Sequence, residues 1–190
     1  MDNNDRNEKK RDGLVKSEFF TNRKNELNEI IDFLSKDNDT KVLCIHTKNL
    51  GGIGKSKLIQ TVMDKCKEKY KGRLLCPKSL IDFYHTEARS RMGIMWLIAE
   101  AVGDPEIDFK TFYDTYKKIE QETNIEDNAQ LAINAEKSFF EEFKSVTNRL
   151  NKTIALFFDT YEMIQEAELS RWLEKDFIEN LGPRTKIVFS

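Results

Sequence analysis

The sequence has few cysteines, no long apolar run and no excess of either charge. Cys44, Cys66 and Cys76 stand far apart without CxxC spacing. An odd number with no framework spacing argues against a disulfide scaffold and for free, buried or half-buried thiols in a reducing compartment. No stretch of 18 apolar residues occurs, and the opening "MDNNDRNEKKRDG" lacks the hydrophobic segment of an export signal. A cytoplasmic protein without a membrane span is expected. Lysine and arginine number 31 against 33 aspartates and glutamates, a formal net charge of -2. Phosphate binding by charge alone needs a basic excess on one face, so no strong nucleic-acid signal is present, although a local basic groove stays compatible with this balance. The two histidines, His46 and His85, lack metal-ligand spacing and default to core or hydrogen-bonding roles. There is no internal repeat and no low-complexity tract.

What is present reads as one α/β domain. Residues 1 to about 16 are polar and mixed in charge, a flexible arm, and the domain runs from 17 to 190. "EFFTNRKNELNEIIDFLSK" spaces Leu27, Ile30, Ile31, Phe33 and Leu34 as a helix over about 23–35. "KVLCIHT" (41–47) reads as a buried parallel strand, and "KSKLIQTVMDKCKEKY" as a helix with Leu58, Ile59, Val62, Met63 and Cys66 on one side. A second strand is expected at "SLIDFYHT" (79–86), then helices at "RMGIMWLIAEAVG", "FKTFYDTYKKIEQE" and "NAQLAINAEKSFFEEFKSVTNRL". In the last, Ala132, Ala135, Phe139, Phe143, Val146 and Leu150 form one stripe that packs on the domain's own sheet. Trp96 and Trp172 fall in amphipathic helices as core residues. "KTIALFFDTYE" (152–162) is an apolar strand ending in an acid, "ELSRWLEKDFIENLG" a helix, and "RTKIVFS" a closing strand. Strands alternating with helices predict a mostly parallel sheet covered on both faces.

Between the first strand and its helix lies "NLGGIGKSK", and this loop carries the chemistry. Glycines let successive N–H groups curl inward around anionic oxygens, and the following helix adds its unpaired N–H groups and the positive end of its dipole. Asn49, Leu50, Gly51, Gly52, Ile53, Gly54, Lys55, Ser56 and Lys57 form the candidate cradle. Lys55 is placed to reach the β- and γ-phosphates and Ser56 to ligate Mg²⁺. The pattern G-x-x-x-x-G-K-[ST] is met from Gly54 onward, with Asn49 in its first place; asparagine tolerates a left-handed turn better than other non-glycine residues. Asp159, ending the apolar strand, stands where an acid would support the metal ion. Glu162 either polarises an attacking water or begins the next helix as an N-terminal acid, and the first role is the one taken. Asp82 and Glu87 flank His85 and could line the same crevice.

Four motifs in order resemble the STAND class of P-loop NTPases, which includes NB-ARC and NACHT proteins. "FFTNRKNELNEI" is similar to the entry motif F-x-G-R-x-x-E-L, with Asn22 in place of glycine and Arg23 as its arginine. "LGGIGKSKL" resembles GGIGKTTL, with Ser56 and Lys57 for the two threonines. "LFFDTYE" resembles the Walker B strand, and "TKIVFS" the sensor 1 strand. The resemblance covers about 17–190. It implies a P-loop three-layer sandwich, incomplete at its C-terminal end, with the sensor 1 strand between the P-loop and Walker B strands. It also implies that the entry motif borders adenine and ribose, that Lys55 and Ser56 bind phosphate and Mg²⁺, and that Asp159 supports the metal. The family's sensor arginine, lid, winged-helix and sensing repeats would follow Ser190, so these residues are expected to be the N-terminal portion of a longer polypeptide.

The expected function is an ATP- and Mg²⁺-binding switch, an ATPase whose ATP or ADP state controls self-association in signalling or defence, released by a protein or small-molecule trigger. The competing reading is a nucleotide-holding interaction module with negligible hydrolysis. A small-molecule kinase is a third, disfavoured by the scarcity of basic lid residues after Asp159. The absence of an NKxD pattern favours adenine over guanine.

Overall fold

The computed structural model describes residues 23–36, 41–45, 54–70, 72–164 and 167–190. The expected arm at 1–16, the entry motif before Arg23, His46 and the loop residues 49–53 lie outside these.

Apolar runs become parallel strands and striped segments become helices, but the run expected as a buried strand over 41–47 is strand only at Val42–Cys44, is partly buried and leaves the Cys44 thiol exposed. In chain order these are α1 (Lys24–Ser35), β1 (Val42–Cys44), α2 (Lys55–Lys69), β2 (Leu74–Leu75), β3 (Ile81–Asp82), α3 (Arg91–Val102), α4 (Lys110–Gln121), α5 (Ile125–Leu150), β4 (Thr153–Asp159), α6 (Ala167–Arg171), α7 (Ile178–Asn180) and β5 (Thr185–Phe189). Among the described residues every strand pairing is parallel. β5 lies between β1 and β4, the order that the resemblance implies for the strands containing "VLC", "TKIVF" and "TIALFFD". β2 and β3 share the other edge of β4: Leu75 pairs with Ile154 at its start, and Asp82 with Asp159 at its end.

Alternation along the central strands feeds two cores, one on each face. Ile154, Leu156 and Phe158 of β4 join Ile187 and Phe189 of β5 in a cluster with α3, α4 and α5. Ala155, Phe157 and Val188 point the other way, against Leu27, Ile30 and Leu34 of α1 and Leu58, Ile59, Val62 and Met63 of α2. The α5 stripe is buried as expected at Ala135, Phe139, Phe143 and Val146. Phe139 stacks on Phe109 and meets Phe112 edge-on, so the sheet and α4 share one aromatic core. Glu142 of α5 accepts the Thr111 and Phe112 N–H groups at 2.8 and 3.0 Å, capping an α4 whose own N-cap side chain makes no such bond.

Several local expectations are corrected. The strand expected over 79–86 is only Ile81–Asp82. The Asp82 side chain accepts the Tyr84 N–H at 2.9 Å and its carbonyl the His85 N–H at 3.1 Å, turning the chain into a 3₁₀ helix at Thr86–Arg89. His85 is exposed and is no core histidine. α5 begins at Ile125, three residues earlier than its apolar pattern, because Asn124 caps it by accepting the Glu126 N–H. The segment after β4 is α-helical only at its ends, with a π-helical stretch at Trp172–Phe177. The wider turn brings Trp172 and Phe177, five residues apart, into contact at 5.1 Å between ring centroids. Trp172 is buried, whereas Trp96 is partly exposed and stacks on Tyr113 and Tyr116 at the rim of the core. Among the described residues no helix is long and apolar enough to cross a membrane.

Candidate functional site

Parallel pairing brings the C-terminal ends of β3, β4 and β5 to one level. Asp82 is in register with Asp159, and Ser190 follows Phe189, the partner of Phe158. In open parallel sheets this end is where ligands bind. Asp159 is almost wholly buried there, and its Oδ1 accepts the Thr160 N–H at 2.9 Å and the Ser190 hydroxyl. Two donors on one carboxylate oxygen orient the group and offset the cost of burying it.

After Asp159 the backbone turns sharply. Thr160 has φ +61° and leads into a 3₁₀ turn over Tyr161–Ile164. Glu162 therefore begins no α-helix; it stands exposed in the turn, with its Oε2 3.8 Å from Lys55 Nζ. Lys55 is the first residue of α2, entered through Gly54 in a left-handed conformation at φ +80°. Gly54 has no side chain to cap the helix, whose first N–H groups have no acceptor within the helix itself and suit an anion. Ser56 and Lys57 are exposed.

Tyr161 anchors the turn from the other side. Its ring meets Phe189 and Phe83, its N–H donates to the Ser190 carbonyl at 3.0 Å, and its hydroxyl donates to Glu174. Burial, then the Glu174 carboxylate, raises its pKa well above the usual phenol range.

Of the residues singled out by sequence, Lys55 and Glu162 are brought together, Asp159 ends the neighbouring strand, and Gly54, Ser56 and Lys57 form the entry to α2. Arg23 stands at the N-terminal boundary of α1, whose apolar face packs with that of α2. Asn49, Leu50, Gly51, Gly52 and Ile53 lie outside the described residues. Asp82, a weak candidate in sequence, is joined to the site through Thr160, whereas Glu87 is exposed in the 3₁₀ helix beyond. Thr160 and Ser190 escaped sequence reasoning. Ser190 has a legible signal, a hydroxyl ending a buried apolar run; Thr160 has none, because a β-branched residue is a poor candidate for positive φ.

The arrangement offers a cation, a helix N-terminus and an exposed hydroxyl on α2, opposite two acids at the end of β4. That donor set fits a polyanion accompanied by a divalent cation. Among the described residues no group of three or more His, Cys, Asp or Glu side chains forms a metal cage. No family model, no curated protein and no solved structure matches the chain.

Proposed function

We propose that the chain is a Mg²⁺-dependent ATP-binding and ATP-hydrolysing switch module of the STAND type, whose nucleotide state controls self-association. The observation that carries this reading is Lys55, at the first turn of a helix entered through a left-handed glycine, 3.8 Å from a glutamate on the neighbouring strand-end turn. In this reading Lys55 exchanges Glu162 for the β- and γ-phosphate oxygens. Because Glu162 is half exposed to water and 3.8 Å from the ammonium, the exchange costs little. The N–H groups opening α2 bind phosphate oxygens. Ser56 and Asp159 are the residues that would hold Mg²⁺, which when bound neutralises phosphate charge. Glu162, released from Lys55, orients the attacking water and accepts its proton.

The assembly part of the reading rests on the four-motif resemblance, and so does a protein or small-molecule trigger. ATP binding is tested by titrating a fluorescent ATP analogue with Mg²⁺ into the 190-residue chain and its Lys55→Ala variant. Affinity falls by about tenfold or more in the variant, as loss of a charge-assisted contact requires; unchanged affinity overturns the site.

A further inference from the structure

The turn that presents Glu162 is held in a conformation its sequence disfavours. Thr160 is β-branched, yet its φ is +61°, a region such residues occupy only where surrounding contacts impose it. One contact comes from the neighbouring strand: Thr160 Oγ1 donates to Asp82 Oδ1 at 2.8 Å. Asp82 is itself aimed, since the same oxygen accepts the Tyr84 N–H at 2.9 Å. Register makes the reach possible, because Asp82 and Asp159 pair directly across β3 and β4. Beyond Thr160, the Met163 N–H closes back on the Thr160 carbonyl at 3.0 Å. Glu162 lies inside this closed turn, so the angle at which it meets Lys55 follows from the backbone at Thr160.

We propose that Asp82 is a positioning residue for Glu162: its carboxylate holds Thr160 left-handed and so directs Glu162 at Lys55 and at the water the proposed ATPase uses. The inference rests on the ATP reading for its kinetic consequence, but the clamp itself is a property of the nucleotide-free chain. Asp82 contacts neither phosphate nor metal in this scheme. What it supplies is an acceptor oxygen rather than a charge, and that separates it from an acid taking part in the reaction.

The test uses the full chain, with two readouts: Mg·ATP turnover, and amide hydrogen exchange at Tyr161 and Met163 without nucleotide. Asp82→Ala is expected to lower kcat by about tenfold to a hundredfold, the cost of a misplaced group, while KM stays within about twofold. Exchange at the two amides rises by about tenfold as the turn opens. Asp82→Asn keeps an acceptor at the same place and holds both readouts within about threefold of wild type. Adding Thr160→Gly to Asp82→Ala restores about fivefold of the lost turnover, because glycine takes a positive φ without support. Thr160→Val, which removes the same hydrogen bond from the other side at nearly constant shape, reproduces Asp82→Ala and serves if that variant does not fold.

Asp82→Asn as damaging as Asp82→Ala overturns the proposal, since charge would then be what matters. Unchanged exchange in both Asp82→Ala and Thr160→Val overturns it as well. If the wild-type chain neither binds nor hydrolyses ATP while exchange follows the expected pattern, the ATP reading falls and the clamp stands.

Discussion

The Ser190 hydroxyl donates to the same Asp159 oxygen that accepts the Thr160 N–H, so the end of β5 holds the carboxylate at the end of β4. Both residues are buried. The contact ties the orientation of a candidate metal-supporting acid to a strand that is remote in sequence.

Ser190→Ala leaves a buried carboxylate oxygen one donor short. The loss in stability is about 1–3 kcal/mol, measured as a lower urea midpoint with an unchanged slope. The Mg²⁺ requirement for binding the fluorescent ATP analogue rises in the same variant. An unchanged midpoint would show that the hydroxyl contributes nothing to holding Asp159.

Glu162→Gln keeps the shape of the side chain and removes its charge and basicity. ATP stays bound while turnover falls by about a hundredfold, measured as phosphate release under saturating nucleotide. A rate already negligible in wild type and unaltered in the variant supports the nucleotide-holding reading in place of the ATPase.

Gly93 lies in the first turn of α3, where an added Cβ would overlap the Glu87 carbonyl and crowd the Ser90 hydroxyl. That hydroxyl caps α3 by accepting the Gly93 N–H at 3.0 Å. Gly93→Ala therefore displaces backbone and disturbs a cap, at about 1–3 kcal/mol. A lower thermal midpoint checks it, with Gly72→Ala, whose Cβ would meet nothing within 4 Å, as the near-neutral control.

Burial raises the Cys66 thiol from 9.0 to about 11 and, with lesser charge effects, the Cys76 thiol from 9.0 to about 12. In the unfolded chain both ionise near 9, while in the fold they keep their protons, so raising the pH draws protons only from the unfolded state. Their stabilising contribution is whole below pH 9 and is lost as pH rises through about 11 and 12. Each group contributes a slope of up to about 1.4 kcal/mol per pH unit. Urea midpoints between pH 8.5 and 10.5 decline, and Cys66→Ala, although less stable at neutral pH, declines less steeply.

Much of the architecture was legible because local spacing and burial agree. The stripe of α5 and the runs of β4 and β5 are long, periodic and apolar, and each becomes the expected element. Shorter features were not. β2 is two residues long and owes its existence to pairing with β4. The end of β3 is set by the Asp82 side chain capturing its own turn, and the π-helical stretch by the need to bury Trp172 with Phe177.

The same division runs through the site. Gly54, Lys55 and Ser56 could be singled out because a glycine turn between a strand and a helix is a local pattern, and Asp159 because it ends an apolar run. Residue order alone thus settles which side chains open α2 and which acid closes β4. It does not settle what those groups meet. Lys55 meets Glu162, Asp159 meets Ser190, and Asp82 meets Thr160 because four parallel strands, β1, β3, β4 and β5, align their ends. Contacts between residues separated by 31, 78 and more positions depend on register, which only the packed sheet imposes.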